Sequence, residues 1–148
     1  MASDSDLVKL YSGRILALAA DIPRLGRLSA PVATAKRRSP LCGSTVTVDV
    51  VTRDGRVADF AQEVRACALG QAAAAILGVG VVGRSRAEIE AARDALRAML
   101  TSGGAAPTGP FADLEVLTPA REFRNRHASI LLAFDATCDA LAQAEEAA

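Results

Sequence analysis

The sequence lacks tryptophan, has a single histidine and carries no net charge, because 17 lysines and arginines balance 17 aspartates and glutamates. Without an overall positive field, the chain has no general attraction for nucleic acid or for an anionic membrane. We therefore expect neither among its partners, and we expect protein partners to be recognised by local features of the surface.

Long apolar runs are also missing. The longest apolar stretch, Ala66–Val82, is interrupted by Gly70, Gln71, Gly78 and Gly80, which is unlike a membrane span. The first residues are acidic and lack the basic segment that opens a signal peptide. These features favour a cytoplasmic protein.

Cysteine is scarce, and the few cysteines form no recognisable pair. Cys42, Cys67 and Cys138 are separated by 25 and 71 residues, with no C-x-x-C motif. In a reducing compartment such cysteines are usually ligands, nucleophiles or core residues rather than disulfide partners. No nucleotide-binding glycine pattern occurs and no acid–base group accompanies the cysteines in sequence, so we do not expect an enzyme.

The length of 148 residues suits one domain, which we expect to span residues 1–148. Hydrophobic residues make up 51% of the chain and many are alanine, which predicts closely packed helices. A first helix is predicted from Ser5 or Asp6 to Pro23. A short strand is predicted over Ser29–Ala35, followed by the basic run 36–38 and an exposed turn at Ser39-Pro40.

The middle of the chain has the pattern of an antiparallel hairpin followed by a helix. Thr45–Thr52 is rich in β-branched residues, an Asp-Gly pair at 54–55 signals a turn, and Arg56–Val64 forms the returning strand. The composition becomes helical over Ala66–Leu77. Cys67 therefore lies where a strand gives way to a helix.

Two further helices are predicted in the remainder of the chain. Ser85 is the expected cap of the first, and Gly103 ends it. Pro119 is expected to begin the long final helix, which carries His127 early and Cys138 on its apolar face.

Three residues suited to zinc or iron–sulfur chemistry come from separate parts of the chain. Cys42 lies in a Pro-x-Cys-Gly turn, Cys67 lies at a helix start, where negative charge is favoured, and His127 lies early in the final helix. They would form one mixed thiolate–imidazole set if the final helix packed back over the hairpin. The alternatives are a structural Cys67 in the core and a surface His127; for Cys138 we expect a core position.

Several arginines lie close in sequence to these candidate ligands. By default they are solvated charges, but a cluster of them near thiolates would attract an anionic partner surface. They are Arg37, Arg38, Arg121, Arg124 and Arg126.

Four strings resemble the U-type iron–sulfur scaffold family, which includes IscU, SufU and the N-terminal part of NifU. They follow the family's order along nearly the whole chain: Leu10-Tyr11-Ser12, Ser39-Pro40-Leu41-Cys42-Gly43, Ala66-Cys67-Ala68 and His127-Ala128-Ser129-Ile130-Leu131.

The resemblance implies an α+β fold in which a three-stranded antiparallel sheet has helices packed on one face (SufE/NifU-like). It implies a scaffold that binds iron or a [2Fe–2S] cluster, with zinc as an alternative occupant, and passes the cluster to apo acceptor proteins. A cysteine desulfurase would supply the sulfur. Cys42 and Cys67 correspond to the family's first two cysteine ligands, and we expect a monomer or a weak dimer.

Two family residues are replaced in this chain. Ser44 stands where the family has an aspartate two residues after the first cysteine. For the third cysteine, one alignment puts His127 in its place, and another puts Ala128 there, with His127 matching the family's neighbouring histidine. We prefer His127 as the third ligand, with Ser44, water or a second chain as the fourth contact.

Three functions remain open at this point. The first is a scaffold that holds a cluster or zinc through Cys42, Cys67 and His127. The second is a zinc-dependent sulfur acceptor that activates a cysteine desulfurase, in which Cys42 takes up a persulfide sulfur and no stable cluster forms. The third is an interaction module that retains the fold without the chemistry.

Overall fold

Three antiparallel strands form a sheet in which β2 lies at the centre. They are β1 (Ala33–Arg38), β2 (Thr45–Arg53) and β3 (Arg56–Arg65), in the spatial order β1–β2–β3. The structure is a computed structural model that describes residues 11–40 and 43–147. The predicted hairpin is confirmed, and both turn residues have positive φ, 56° at Asp54 and 75° at Gly55, as a tight two-residue turn requires.

Four α-helices and a 3₁₀ segment complete the described architecture. They are α1 (Gly13–Ala20), α2 (Ala68–Gly80), α3 (Arg86–Ser102), the 3₁₀ segment (Gly109–Glu122) and α4 (Arg124–Ala147). The predicted ends of α3 are confirmed: Ser85 and Glu88 form a reciprocal capping box, and Gly103 closes the helix with a φ of 70°.

Helix α4 is the centre of the molecule. It packs on β1 and β2 with one side, and on α2, α3 and the 3₁₀ segment with the others. Residues all around the helix are therefore buried, and most are small or aliphatic: Ser129, Ile130, Leu131, Leu132, Ala133, Phe134, Ala136, Thr137, Cys138, Ala140, Leu141 and Ala144. The predicted α+β arrangement, with helices on one face of the sheet, is confirmed. No helix of the described residues is long and apolar enough to cross a membrane.

The outward face of the sheet is crossed by the segment between α1 and β1. This segment pairs with the free edge of β3, where Gly26 N–H donates to Gln62 O and Gln62 N–H donates to Arg24 O. It then reaches Asp49 on the central strand, whose side chain is fully buried. The Asp49 carboxylate accepts two hydrogen bonds from the Arg27 guanidinium, at 2.7 and 3.0 Å, and others from Leu28 N–H and the Thr34 hydroxyl.

Two predicted boundaries are wrong. Strand β1 spans Ala33–Arg38 rather than Ser29–Ala35 and so contains the basic run 36–38, in which Arg37 forms an ion pair with Asp139 of α4 while Lys36 and Arg38 are exposed. Pro119 lies inside the 3₁₀ segment, and α4 begins only at Arg124, because Phe123 (φ −114°, ψ 72°) interrupts the helical backbone.

Helix α1 is capped by Ser12. The expected caps Ser5 and Asp6 lie outside the described residues.

We predict that Asp49→Asn lowers the free energy of unfolding at neutral pH by about 2 kcal/mol, because a neutral amide loses the charged hydrogen bonds. Burial alone would raise the pKa of Asp49, but its bonds to Arg27, Thr34 and Leu28 lower it overall. The carboxylate therefore stabilises the fold fully above the ordinary aspartate pKa of about 4, and this contribution is lost as the pH falls through the lowered pKa.

Urea unfolding of wild type and Asp49→Asn over a series of pH values measures this effect. The difference between the two proteins should be constant near neutral pH and should shrink on strong acidification. A difference that does not change with pH would contradict the assignment.

Candidate functional site

One end of the sheet brings together the segments that carry the candidate ligands. Arg38, Thr45 and Arg65 are direct neighbours across the three strands there. The β1–β2 connection at this end contains Cys42, which lies outside the described residues. Its flanks are fixed, since Ser39 N–H donates to Ser44 O at 2.8 Å and Gly43 N–H donates to Ser39 O at 3.1 Å.

Cys67 lies immediately after β3 and is the N-cap residue of α2, as the sequence predicts. Its backbone is extended (φ −65°, ψ 168°), and its carbonyl accepts the first helical hydrogen bond from Gln71 N–H at 2.9 Å. The side chain is half-buried and is not in a disulfide. The thiol thus lies at the positive end of the α2 helix dipole.

Ser129 links Cys67 to the segment that follows Cys42. The Ser129 hydroxyl is buried, 3.5 Å from Cys67 Sγ and 3.1 Å from Ser44 Oγ. A thiolate only accepts hydrogen bonds, so when Cys67 is ionised Ser129 donates to it and accepts from Ser44. Three distant segments therefore meet at one hydroxyl, and one of them, at Ser44, begins two residues after Cys42.

Gly70 makes this meeting possible. A Cβ atom at Gly70 would lie 2.8 Å from Ser129 Oγ and 3.0 Å from the Ser129 carbonyl oxygen. Only a residue without a side chain allows α2 to approach α4 this closely. Ser129 was not predicted as a site residue; the available signal was a hydroxyl in an otherwise apolar part of α4.

His127 lies in the first turn of α4 and faces away from Ser129. Residues two positions apart on a helix diverge by about 200°. The His127 Nε2 atom is 2.9 Å from the carbonyl oxygen of Ala120 in the 3₁₀ segment. Because a carbonyl only accepts, Nε2 carries the proton, and the neutral ring keeps its lone pair on Nδ1, the atom that would bind a metal.

Cys138, the third cysteine, is a core residue as expected. It is 4% exposed in the middle of α4, and burial raises the pKa of its thiol to about 11. A thiol in this state is a poor ligand and a poor nucleophile. Cys138 is therefore a suitable control for experiments on the other two cysteines.

The predicted ligand set is only partly covered by the described residues. Among them, no group of three or more histidine, cysteine or acidic side chains is placed to hold a metal. Cys42 is not among them, so the set of Cys42, Cys67 and His127 stays a prediction.

Comparison with solved structures identifies the family. A nitrogen-fixing NifU-like protein (N-terminal) from Brucella abortus is 48% identical to this chain, with a TM-score of 0.94, and the match covers 97% of this chain and 99% of that chain. This chain belongs to the NifU-like family of U-type scaffolds. The resemblance seen in the sequence is thereby confirmed, and so is the NifU-like fold.

A more distant structure shares the fold of this NifU-like chain. It is a putative iron–sulfur cluster assembly scaffold protein for the SUF system from Fervidobacterium islandicum, with 17% identity and a TM-score of 0.82, covering 90% of this chain and 98% of that chain. No protein-family model matches the chain, and no curated protein matches it in sequence.

We predict that Gly70→Ala lowers the free energy of unfolding by about 1–3 kcal/mol, because the new methyl group overlaps Ser129 and forces α2 away from α4. Gly13→Ala is the matched control, since a Cβ atom there meets nothing within 4 Å. It should leave stability unchanged or raise it slightly. Urea unfolding measures both, and equal losses in the two variants would contradict the close-packing account.

Proposed function

We propose that this NifU-like chain is a non-enzymatic scaffold for iron–sulfur cluster assembly. Cys42 and Cys67 hold a [2Fe–2S] cluster or zinc, His127 joins them as third ligand by turning its ring from the Ala120 side towards the thiols, and the cluster is cargo that passes to apo acceptor proteins. The observation that carries the proposal is the contact of Ser129 with both Cys67 and Ser44, which brings Cys67 close to the loop that contains Cys42. Membership of the U-type family supports it.

The donor set fits such cargo chemically. Two thiolates and one imidazole are ligands that zinc and iron–sulfur clusters accept, and they leave a fourth position for Ser44, water or a second chain. A neutral imidazole in place of a thiolate makes a bound cluster less negatively charged. The contact of His127 Nε2 with the Ala120 carbonyl has the form of the outer hydrogen bond that orients metal-binding histidines. The fourth position of such a site stays open to exchange, as the transfer of cargo to an acceptor requires.

The sulfur-acceptor function is the second candidate, and the missing third cysteine favours it. In this role the Cys42 thiolate attacks the terminal sulfur of the donor's persulfide, a new S–S bond forms on Cys42, and the donor's cysteine leaves as a thiolate. Because sulfur uptake needs only one reactive thiol, the replacement of the third cysteine by His127 or Ala128 does not impair it. In both functions the partner is a cysteine desulfurase.

Anaerobic reconstitution with iron, cysteine and a cysteine desulfurase tests the scaffold function. We predict that wild type gains iron, acid-labile sulfide and visible absorbance, and that Cys42→Ser and Cys67→Ser lose all three because each removes a ligand. Cys138→Ala, the buried control, should retain them. A wild type that carries persulfide or zinc but no sulfide would favour the sulfur-acceptor function, and a wild type without reactive thiols would favour the interaction module.

Two substitutions of His127 separate ligation from structural support. In His127→Gln the side-chain amide can still donate to the Ala120 carbonyl, but it offers no nitrogen in place of Nδ1. We predict that His127→Gln and His127→Ala both lose most of the cluster, while His127→Gln keeps more of the unfolding free energy, about 1 kcal/mol. Full cluster content in His127→Gln would show that the ring is structural and that the third ligand lies elsewhere.

A further inference from the structure

The lysines and arginines that form ion pairs and those that do not lie in different parts of the molecule. All lysines and arginines except Lys9 lie in the described part of the chain, and nine of these sixteen form ion pairs with described acidic residues. The remaining seven have no such pair: Lys36, Arg38, Arg53, Arg65, Arg121, Arg124 and Arg126. Six of these seven lie around the Cys67 end of the sheet, and only Arg53 lies at the opposite end, beside the β2–β3 turn.

The six residues, which we call the basic collar, flank the candidate site on two sides. On the sheet side, Lys36, Arg38 and Arg65 share the outward face, and Lys36 and Arg65 line an open recess of about 440 Å³ with Gly43. On the helix side, Arg121 and Arg124 line a second polar recess of about 760 Å³ with Glu122 and His127, and Arg126 lies in the first turn of α4. Ser44 and Cys67 lie at the same end of the sheet, in contact with Ser129.

The collar is electrostatically unfavourable in the free protein. Helix α4 begins with Arg124, Arg126 and His127 and has no acidic residue in its first turn, which is the reverse of what a helix dipole favours. Each recess contains one acid, Glu122 on the helix side and Glu63 on the sheet side, and Glu63 is already engaged with Arg27. The collar cations therefore outnumber the acids in both recesses. Because like charges crowd one end of a chain with no net charge, an incoming anionic surface would relieve their repulsion.

We propose that the basic collar is the docking surface for a protein partner that presents a carboxylate-rich surface to this end of the sheet. Whether that partner is a sulfur donor or a cluster acceptor rests on the proposed function. The docking of an anionic protein at the collar does not depend on that function. A protein fits better than nucleic acid, because no phenylalanine of the described residues is an exposed base-stacking platform.

Binding of a fluorescein-labelled polyglutamate peptide to the full chain, followed by anisotropy at low and high salt, tests the collar. We expect salt-sensitive binding that weakens roughly tenfold or more in Arg38→Glu/Arg65→Glu and in Arg124→Glu/Arg126→Glu. Arg53→Glu, which reverses the unpaired arginine at the far end, should bind like wild type. Absence of binding, equal weakening by Arg53→Glu, or tighter binding to phosphatidylserine vesicles or to single-stranded oligothymidine would each overturn the proposal.

Chemical reconstitution with iron and inorganic sulfide separates this proposal from the proposed function. No protein donor takes part, so the collar variants should assemble as much cluster as wild type. With a cysteine desulfurase as donor they should assemble it several-fold more slowly, and the loss should diminish at high salt. If wild type forms no cluster by either route but binds the peptide at the collar, the proposed function fails while the docking surface stands. Equal loss by both routes in the collar variants would overturn the docking role.

Discussion

The close approach of α2 to α4 at Gly70 and Ser129 is the constraint on which the rest of the site depends. It is reached because α2 has glycine at the points where other elements touch it: Gly70 against Ser129, Gly78 against Pro23 and Gly80 against Phe111. A Cβ atom at any of these glycines would lie only 2.8 to 3.0 Å from its neighbour. The alanine-rich composition extends the same close packing along both helices. With α2 at this distance, the Cys67 thiol comes within reach of the Ser129 hydroxyl.

The sheet supplies the other half of the site through contacts on both of its faces. On the helix side, Arg37 of β1 is tied to Asp139 of α4. On the outward side, Arg27 and Leu28 hold Asp49 of β2. These contacts fix the end of β1 and the start of β2, and so they fix the flanks of the loop that contains Cys42.

Local signals predicted the elements whose ends are set by nearby residues. The Asp-Gly turn, the capping box at Ser85 and the helix start at Cys67 all depend on neighbours within a few positions. The extent of β1 and the start of α4 were not predictable in this way, because Arg37 and Asp139 are 102 residues apart and Phe123 breaks the helix through its backbone conformation. The sequence indicated that Cys67 and His127 have metal-binding chemistry. It did not indicate Ser129, whose role exists only because Gly70 lets two helices meet, or the proton position on His127, which the Ala120 carbonyl decides.

Helix packing assembles the site at one end of a small sheet. The positive charge of the lysines and arginines around the site is left unbalanced. We propose that Cys42 and Cys67 converge to bind one metal. Titration of the reduced protein with cobalt(II), followed by thiolate-to-cobalt absorbance, distinguishes one shared site from two separate thiols. We expect one cobalt per chain, with charge-transfer intensity that falls in both Cys42→Ser and Cys67→Ser and is unchanged in Cys138→Ala. Full charge-transfer intensity in either Cys42→Ser or Cys67→Ser would contradict a shared site.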